Sequence, residues 1–355
     1  MPRHVAWFAE ASVASDERGG LTSTLASTRY RCLIPHRELQ KAGVKSVILC
    51  GNLYGVGPQK IVEFLHEFDV ETVVIGKTNH PSMIDLAGLA RSHGCYLVAD
   101  FCDDHFGVPA LGPLYRELAR LADQIVAGTP QMAEVVATET GRRAVIIPDP
   151  YEGPRGEPRF APGGERLKLL WFGNVTNIDG LNAVLPELAS LSREQPMRLT
   201  IVTDEKRINV PAGAGWPSSL ELSVVPWSVD RLWSEIAGCD LVIIPSLKTR
   251  EKLVKGANRL VETIWGGRAV VAHPLPTYEE FRDFCWLGDS IAQGIDFTMR
   301  NRHLVSARLA AGQALISERY APAIVAEQWK QCFAGLRLRP PSGVSETRHE
   351  RGVTG

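Results

Sequence analysis

The feature that most constrains the fold is an alternation of short apolar runs with amphipathic stretches along most of the chain. In the N-terminal half the apolar runs cover residues 5–9, 46–50, 72–75, 96–99, 124–127 and 144–147. Turn residues and then a helical pattern follow each run. Continuous apolar runs of this length indicate buried strands, and strands that alternate with helices form a parallel sheet with helices on both faces.

A segment rich in proline and glycine separates two such alternations. Residues 148–164 contain five prolines and four glycines, a density through which neither a helix nor a central strand continues. The alternation then restarts, with strands predicted at 168–172, 198–203, 220–225, 240–244 and 269–272 and two late helices near 300–317 and 321–334. A chain of 355 residues is long enough for two hydrophobic cores.

We therefore predict an α/β protein with two Rossmann-like domains. The first domain covers residues 1–150, a linker covers 151–166, and the second domain covers 167–318. A C-terminal helix over 319–335 is expected to pack back towards the first domain. Residues 336–355 carry proline, glycine, serine and charge without periodicity, which predicts a disordered tail.

Composition excludes several classes of protein. The formal net charge of −1 creates no global field for nucleic acid. Seven scattered cysteines without a C-x-x-C pair indicate reduced thiols in the cytoplasm. No signal peptide is visible and no apolar run approaches 18 residues, so we expect a cytoplasmic protein, at most peripheral at the inner face of a membrane.

The strongest site candidate follows the predicted strand at 240–244. A basic loop with Lys248, Arg250 and Lys252 precedes a helix predicted from about Lys255 to Trp265. One stripe of this helix is apolar, and a polar set spaced i, i+3, i+4, i+7 lies on nearly the opposite face. The apolar stripe contains Ala257, Leu260, Val261, Ile264 and Trp265, and the polar set contains Lys255, Asn258, Arg259 and Glu262.

The order of these polar residues suits a nucleotide diphosphate. Open α/β sheets bind ligands at the carboxyl ends of their strands, and a helix N-terminus with Lys255 and Arg259 nearby favours phosphate. Glu262, one turn further along, is an acceptor suited to a diol such as ribose. The alternative is a solvated helix face with a local Arg259–Glu262 contact.

Several segments resemble GT-B glycosyltransferases. Residues 255–280 resemble their donor-site segment, in which a K-x-x-N-R-x-x-E helix precedes a glycine, a Val-rich strand and a Pro-containing turn. Residues 168–174 resemble the opening strand of the donor domain, and 227–245 the strand before its site. Residues 98–106 resemble the D-x-x-D-D strand end of bacterial polysaccharide glycosyltransferases, 122–129 their following strand, and 27–31 an S-x-R-x-R motif. The resemblance spans residues 5 to about 334.

The resemblance implies a GT-B fold whose two sheets face across a cleft. It implies transfer of a sugar from a nucleotide-sugar donor to a glycan, lipid-linked or protein acceptor, with the donor held by the C-terminal domain. Glu262 would bind the donor ribose, and Lys255, Asn258 and Arg259 would lie at the diphosphate.

Two departures from the families related to glycogen synthase concern the charges of this site. Val254 stands where those families usually have Glu, eight residues before the ribose Glu. The loop at 173–179 lacks the Arg and Lys that usually follow the first donor-domain strand. The basic side chains left to neutralise the leaving group are Lys248, Arg250, Lys252, Lys255 and Arg259.

The remaining candidates lie at other strand ends. On the donor side they are Gly173, Asn174 and Trp227, whose ring is placed for stacking on a nucleobase. On the acceptor side they are Gly20, Arg29 and Arg31. Asp103, Asp104 and His105 form a candidate catalytic group, with a carboxylate as the base for an acceptor hydroxyl.

The aspartates have other interpretations as well. Asp103 or Asp104 is alternatively a helix cap or part of a metal-binding D-x-D motif. Because no histidine or cysteine pattern is typical of a metal site and no G-x-G-x-x-G is present, we expect neither metal nor cofactor. Two further functions remain open: a catalytically weak GT-B-like scaffold or partner protein, and a nucleotide-sugar epimerase of the same fold.

Overall fold

The chain divides into two compact units. The computed structural model describes residues 4–9, 11–15, 20–51, 55–77, 79–204 and 216–336. Unit 1 comprises the described residues up to Gly128 together with Ala133–Ile147 and those from Ala326 onwards, and unit 2 comprises Thr129–Met132 and Pro148–Val325. Of the predicted tail at 336–355, only Leu336 lies within the described residues.

Unit 1 is built on a six-stranded parallel sheet. Its strand order is β4-β1-β5-β6-β7-β8, with β1 (His4–Ala9), β4 (Lys45–Cys50), β5 (Thr72–Gly76), β6 (Tyr96–Phe101), β7 (Gln124–Ala127) and β8 (Val145–Ile146). A short antiparallel pair, β2 (Ala14–Ser15) and β3 (Leu21–Thr22), follows β1. The helices are α1 (Ala26–Thr28), a π-helical turn at Arg29–Leu33 that continues into α2 (Ile34–Lys41), α3 (Pro58–Glu67), α4 (Ser82–Ser92), α5 (Gly112–Leu121) and α6 (Pro130–Thr140), whose first residues belong to unit 2.

Unit 2 contains a second six-stranded parallel sheet. Its strand order is β11-β10-β9-β12-β13-β14, with β9 (Leu167–Phe172), β10 (Met197–Thr203), β11 (Leu220–Pro226), β12 (Leu241–Ile244), β13 (Ala269–Ala272) and β14 (Trp286–Leu287). The helices are α7 (Ile178–Leu191), α8 (Val229–Gly238), α9 (Arg250–Leu253), α10 (Asn258–Trp265), α11 (Ile291–Arg300) and α12 (Arg302–Arg319). The last helix, α13 (Pro322–Leu336), begins in unit 2 and continues in unit 1.

Alternation along the strands of unit 2 supplies two cores, one on each face of the sheet. Leu169 and Trp171 of β9 pack with α7 in one hydrophobic cluster, whereas Leu170 and Phe172 pack with α10 in the other. Successive side chains of a strand point to opposite faces. Both faces of this sheet are therefore covered by helices, as the uninterrupted apolar runs predict.

The strand orders create one topological switch point in each sheet. In unit 2 the order reverses between β9 and β12, which pair in parallel at Leu169↔Leu241. In unit 1 it reverses between β1 and β5, which pair at Val5↔Thr72. The predicted α/β class with two Rossmann-like sheets is confirmed, and these crevices are where such sheets bind ligands.

The segment rich in proline and glycine is part of unit 2 and packs against α10. The ring of Tyr151 stacks on that of Trp265 with a centroid separation of 4.0 Å, and the Trp265 Nε1–H donates to the Gly153 carbonyl at 3.2 Å. A Cβ atom at Gly156 would lie 2.1 Å from the carbonyl oxygen of Gly266. Only glycine permits this close approach, so the segment is fixed against the end of α10.

The C-terminal helices differ in where they pack. The 18-residue α12 contributes buried Leu309 and Ile316 to the α10-side core of unit 2. In unit 1, the ring of Trp329 on α13 makes an edge contact with Trp7 of β1 at 5.0 Å between centroids. Among the described residues, no helix has both the length and the apolar character needed to cross a bilayer.

Candidate functional site

The connections that follow β9 and β12 meet at the switch point of unit 2. Residues 173–177 lead from β9 into α7, and residues 245–257 lead from β12 into α10. A Cβ atom at Gly180, in the first turn of α7, would lie 3.0 Å from the carbonyl oxygen of Pro245. The N-terminal end of α7 thus lies directly against the end of β12.

The predicted basic helix is shorter than expected at its start. The structure ends α9 at Leu253 and begins α10 at Asn258, so the prediction that Lys255 lies on the first helical turn is wrong. Partners outside the helix hold the intervening carbonyls. The carbonyl of Val254 accepts from the Thr129 hydroxyl at 2.9 Å, and that of Lys255 accepts from the Thr277 hydroxyl at 2.8 Å.

The apolar stripe of α10 is confirmed, whereas the polar set is divided. All five predicted apolar residues are buried. Asn258 and Arg259 are partly exposed, and Asn258 Nδ2 donates to the Asp149 carboxylate at 2.7 Å. Glu262 is only 3 % exposed. The side chain of Glu262 is therefore enclosed, and the alternative of a solvated helix face does not hold for this residue.

Arg259 has an unsatisfied donor. Its Nη1 atom is buried and has no hydrogen-bond partner among the described residues. Burial is the main cause that raises the pKa of buried Tyr278, and the positive charge of the nearby Arg259 guanidinium opposes that shift. A buried donor without a partner carries a desolvation cost, and an anionic ligand would remove it.

Lys252 joins this group from α9. Its ammonium donates to the side-chain carbonyl of Asn177, which immediately precedes α7. Burial lowers the pKa of Lys252, and the positive charge of Arg259 lowers it further. Two cations from separate helices are thus close enough to interact, and the sequence did not show which of the five basic side chains would converge.

The other predicted donor residues are distributed around the carboxyl edge of the sheet. The Gly173 carbonyl accepts from the Thr203 hydroxyl at 2.7 Å, and Asn174 Oδ1 accepts from the backbone N–H of Thr176 at 3.0 Å. Trp227 is partly buried after β11, two strands from the switch point.

Two of the predicted basic residues lie outside the enclosed group. Lys248 is exposed and forms an ion pair with Asp289 at 3.1 Å. Arg250 is exposed at the start of α9.

His273 is a residue of this edge that sequence reasoning missed. It follows β13 and its Nδ1 atom lies 3.1 Å from the carbonyl oxygen of Ser246 and 3.2 Å from its backbone nitrogen. Its Nε2 atom is buried without a hydrogen-bond partner among the described residues. A histidine directly after a buried strand was the available signal.

The candidate catalytic group of unit 1 lies after β6. The Asp103 carboxylate forms an ion pair with the Lys77 ammonium at 2.6 Å, and Lys77 has a left-handed backbone with φ 35°. Asp104 Oδ1 accepts from the backbone N–H of Phe106 at 3.2 Å, and His105 Nδ1 lies 3.0 Å from the Tyr115 hydroxyl. Their role as an acceptor base stays a prediction, and Lys77 is a partner that sequence reasoning missed.

The candidate acceptor-side residues contact their own unit extensively. Gly20 immediately precedes β3, and Arg29 is buried with Nη1 donating to the Ser23 carbonyl at 2.7 Å. Arg31 donates to both Asp100 carboxylate oxygens, at 2.9 and 2.5 Å, and to the Ile147 carbonyl at 2.6 Å. Arg31 and Asp100 also line a cavity of about 60 Å³ at the switch point of this sheet.

The described residues offer little for binding a metal ion. They contain no group of three or more His, Cys, Asp or Glu side chains placed to share one. The enclosed side chains of unit 2 instead comprise cations, amides, a tyrosine and a carboxylate, which suit an anionic, hydroxyl-bearing ligand.

Comparison with known proteins finds solved structures with a similar fold. No protein-family model matches the sequence, and no curated protein matches it. A glycosyltransferase from Rickettsia africae is 12% identical with a TM-score of 0.71, covering 95% of this chain and 99% of that one. HepE from Anabaena, determined in complex with UDP, is 14% identical with a TM-score of 0.57, covering 93% and 99%. MurG from Acinetobacter baumannii is 15% identical with a TM-score of 0.53, covering 94% and 100%.

These solved structures and the two parallel sheets define the class of fold. The chain adopts the two-domain GT-B fold. The GT-B class inferred from the motifs is thereby confirmed.

Proposed function

We propose that the protein is a glycosyltransferase whose nucleotide-sugar donor is held by unit 2. The observation that carries the proposal is the buried, unpartnered Nη1 of Arg259 at the switch point of the second sheet. A donor phosphate supplies the missing acceptor. The similarity in fold to a glycosyltransferase and to a protein solved with UDP supports the same assignment.

Three residues of α10 contact different parts of such a donor. Arg259 binds the diphosphate, with Asn258 beside it, and Glu262 accepts hydrogen bonds from the ribose hydroxyls. Negative charge builds on the departing phosphate as the glycosidic bond breaks, and fixed positive charge at that position lowers the barrier. We propose a glycan, lipid-linked or protein acceptor, with polysaccharide biosynthesis as the setting of the reaction.

A panel of nucleotide sugars tests the proposal. UDP-, GDP-, ADP-, TDP- and CMP-sugars are added at millimolar concentration, and the unfolding temperature is measured. The nucleotide sugar with the preferred base should stabilise the folded wild-type protein by about 4 kcal/mol when its concentration is 1,000 times its Kd. Glu262→Gln should weaken binding of that sugar about 10- to 100-fold, because a buried carboxylate acceptor is lost.

The matched control is Glu194→Gln, since Glu194 is an exposed carboxylate in the turn after α7. This variant should bind like the wild type. No stabilisation by any sugar nucleotide, or equal binding by the Glu262→Gln variant, contradicts the assignment of the donor site.

We propose further that transfer needs no divalent cation, because the cations of the chain neutralise the leaving phosphate. Initial transfer rates should be unchanged in millimolar EDTA and should not rise when Mg²⁺ or Mn²⁺ is added. A rate that falls more than tenfold in EDTA and returns with metal would mean that a metal ion, and not the basic side chains, neutralises the leaving phosphate.

We propose a cytoplasmic setting, which the free thiols and the acceptor class support. All seven cysteines are free, a state that the reducing cytoplasm maintains. We place the reaction in the cytoplasm, with the protein at the inner membrane surface when its acceptor is lipid-linked.

One observation favours a second candidate function, a GT-B-like scaffold without turnover. Val254 occupies the position of a family glutamate, its side chain is buried, and its carbonyl is bonded to Thr129. A scaffold of this kind would show neither donor hydrolysis nor transfer, and the Glu262→Gln substitution would not change its affinity for its partner.

A further inference from the structure

The loop after β9 lacks cations of its own, although it borders the site. Residues 173–179 contain neither Arg nor Lys. The loop ends at Asn177, directly before the 14-residue α7. A helix N-terminus provides free N–H donors and partial positive charge, but residues 173–179 supply no formal positive charge, and Asp179 in the first turn of α7 is acidic.

A cation from another element occupies this place. The Lys252 ammonium reaches from α9 to the Asn177 side-chain carbonyl. Lys252 is partly buried. No ion pair joins it to a carboxylate among the described residues, in contrast to exposed Lys248, which is paired with Asp289.

Lys252 and Arg259 are an unfavourable pair when no ligand is bound. Burial and the Arg259 charge both lower the pKa of Lys252, and the opposing effect of the neighbouring Glu251 carboxylate is smaller. Arg259 also has the unpartnered buried Nη1. Like charges that are both partly desolvated raise the free energy of the ligand-free protein, and an anion between them would lower it.

We propose that Lys252 binds the sugar-bearing phosphate of the donor, supplying the charge that the loop after β9 lacks. This inference rests on the proposed function. The positions of these residues along the chain indicate which of the two phosphates Lys252 contacts. Glu262 lies one turn into α10 beyond Arg259, whereas Lys252 lies before the helix begins. When Glu262 binds the ribose, Lys252 lies at the end of the diphosphate that is farther from the ribose. In the free protein Asn177 holds the ammonium in position.

Paired nucleotides test this assignment. UDP and UMP are titrated calorimetrically into the wild type and Lys252→Met, or the GDP/GMP, ADP/AMP or TDP/TMP pair if the panel selects that base. Selection of a CMP-sugar, which has a single phosphate, overturns the assignment of Lys252 to a second phosphate. The Lys252→Met variant should bind the diphosphate about 10- to 100-fold more weakly, since one charge-assisted bond is lost. Its affinity for the monophosphate should change less than about threefold.

The control variant is Lys168→Met, because Lys168 is exposed at the opposite end of β9. It should behave like the wild type with both nucleotides. A second readout separates binding from structure: ligand-free Lys252→Met should unfold at the same or a higher temperature, because a desolvated like charge is removed.

The outcomes are distinct for the two proposals. Failure of the wild type to bind any nucleotide overturns the proposed function. A wild type that binds, with unchanged diphosphate affinity in Lys252→Met or with equal losses for both nucleotides, overturns the role of Lys252 alone. Lowered stability of the ligand-free variant would likewise assign Lys252 a structural role.

Discussion

Replacing Arg259 by methionine should lower the rate of sugar transfer about 10²- to 10³-fold, the range found when one fixed donor to developing negative charge is removed. Arg259 lies near the buried Tyr278 hydroxyl, and its Nη1 is already buried without a partner among the described residues. Little reorganisation is therefore needed when charge develops on the phosphate. The measurement is kcat with saturating donor and acceptor.

The matched control is Arg193→Met, since Arg193 is an exposed arginine in the turn that follows α7. Its kcat should equal that of the wild type. Methionine replaces the aliphatic part of the arginine side chain without its charge, so the unfolding temperature of the ligand-free Arg259→Met variant should change little. A kcat within threefold of wild type for Arg259→Met would place the leaving phosphate elsewhere.

Arg31→Met should cost about 3–5 kcal/mol of the free energy of unfolding of unit 1, as breaking a buried ion pair does. Arg31 is 5 % exposed and Asp100 is 2 % exposed. Arg31 also lies over the Trp329 ring at 5.5 Å. The substitution leaves the buried Asp100 carboxylate without its guanidinium, and urea unfolding followed by tryptophan fluorescence measures the loss.

Two further variants make this result interpretable. Lys41→Met removes the ammonium of an exposed pair with Glu38 and should cost no more than about 1 kcal/mol. The double variant Arg31→Met/Asp100→Leu should recover part of the stability, because no charge then remains buried. A loss below about 1 kcal/mol for Arg31→Met alone would mean that water or another group satisfies Asp100.

The pairing of Arg31 with Asp100 shows what motif resemblance reveals and what it leaves out. Arg31 belongs to the S-x-R-x-R segment and Asp100 to the D-x-x-D-D segment, and both were identified from the sequence. Nothing in either motif predicts that they meet across 69 residues. The same holds for Lys252 and Asn177, which are 75 residues apart.

The sequence alone determined the α/β class, the positions of the main strands and the buried stripe of α10. These properties follow from local periodicity, because strand and helix geometry decide which nearby side chains share a face. The sequence does not predict the first residue of α10, because the hydroxyls of Thr129 and Thr277, from distant parts of the chain, bind the carbonyls that precede the helix. Which charges converge was likewise decided by the tertiary structure alone. Strand order brings β9 beside β12, and a single sequence does not encode that neighbourhood in any local pattern.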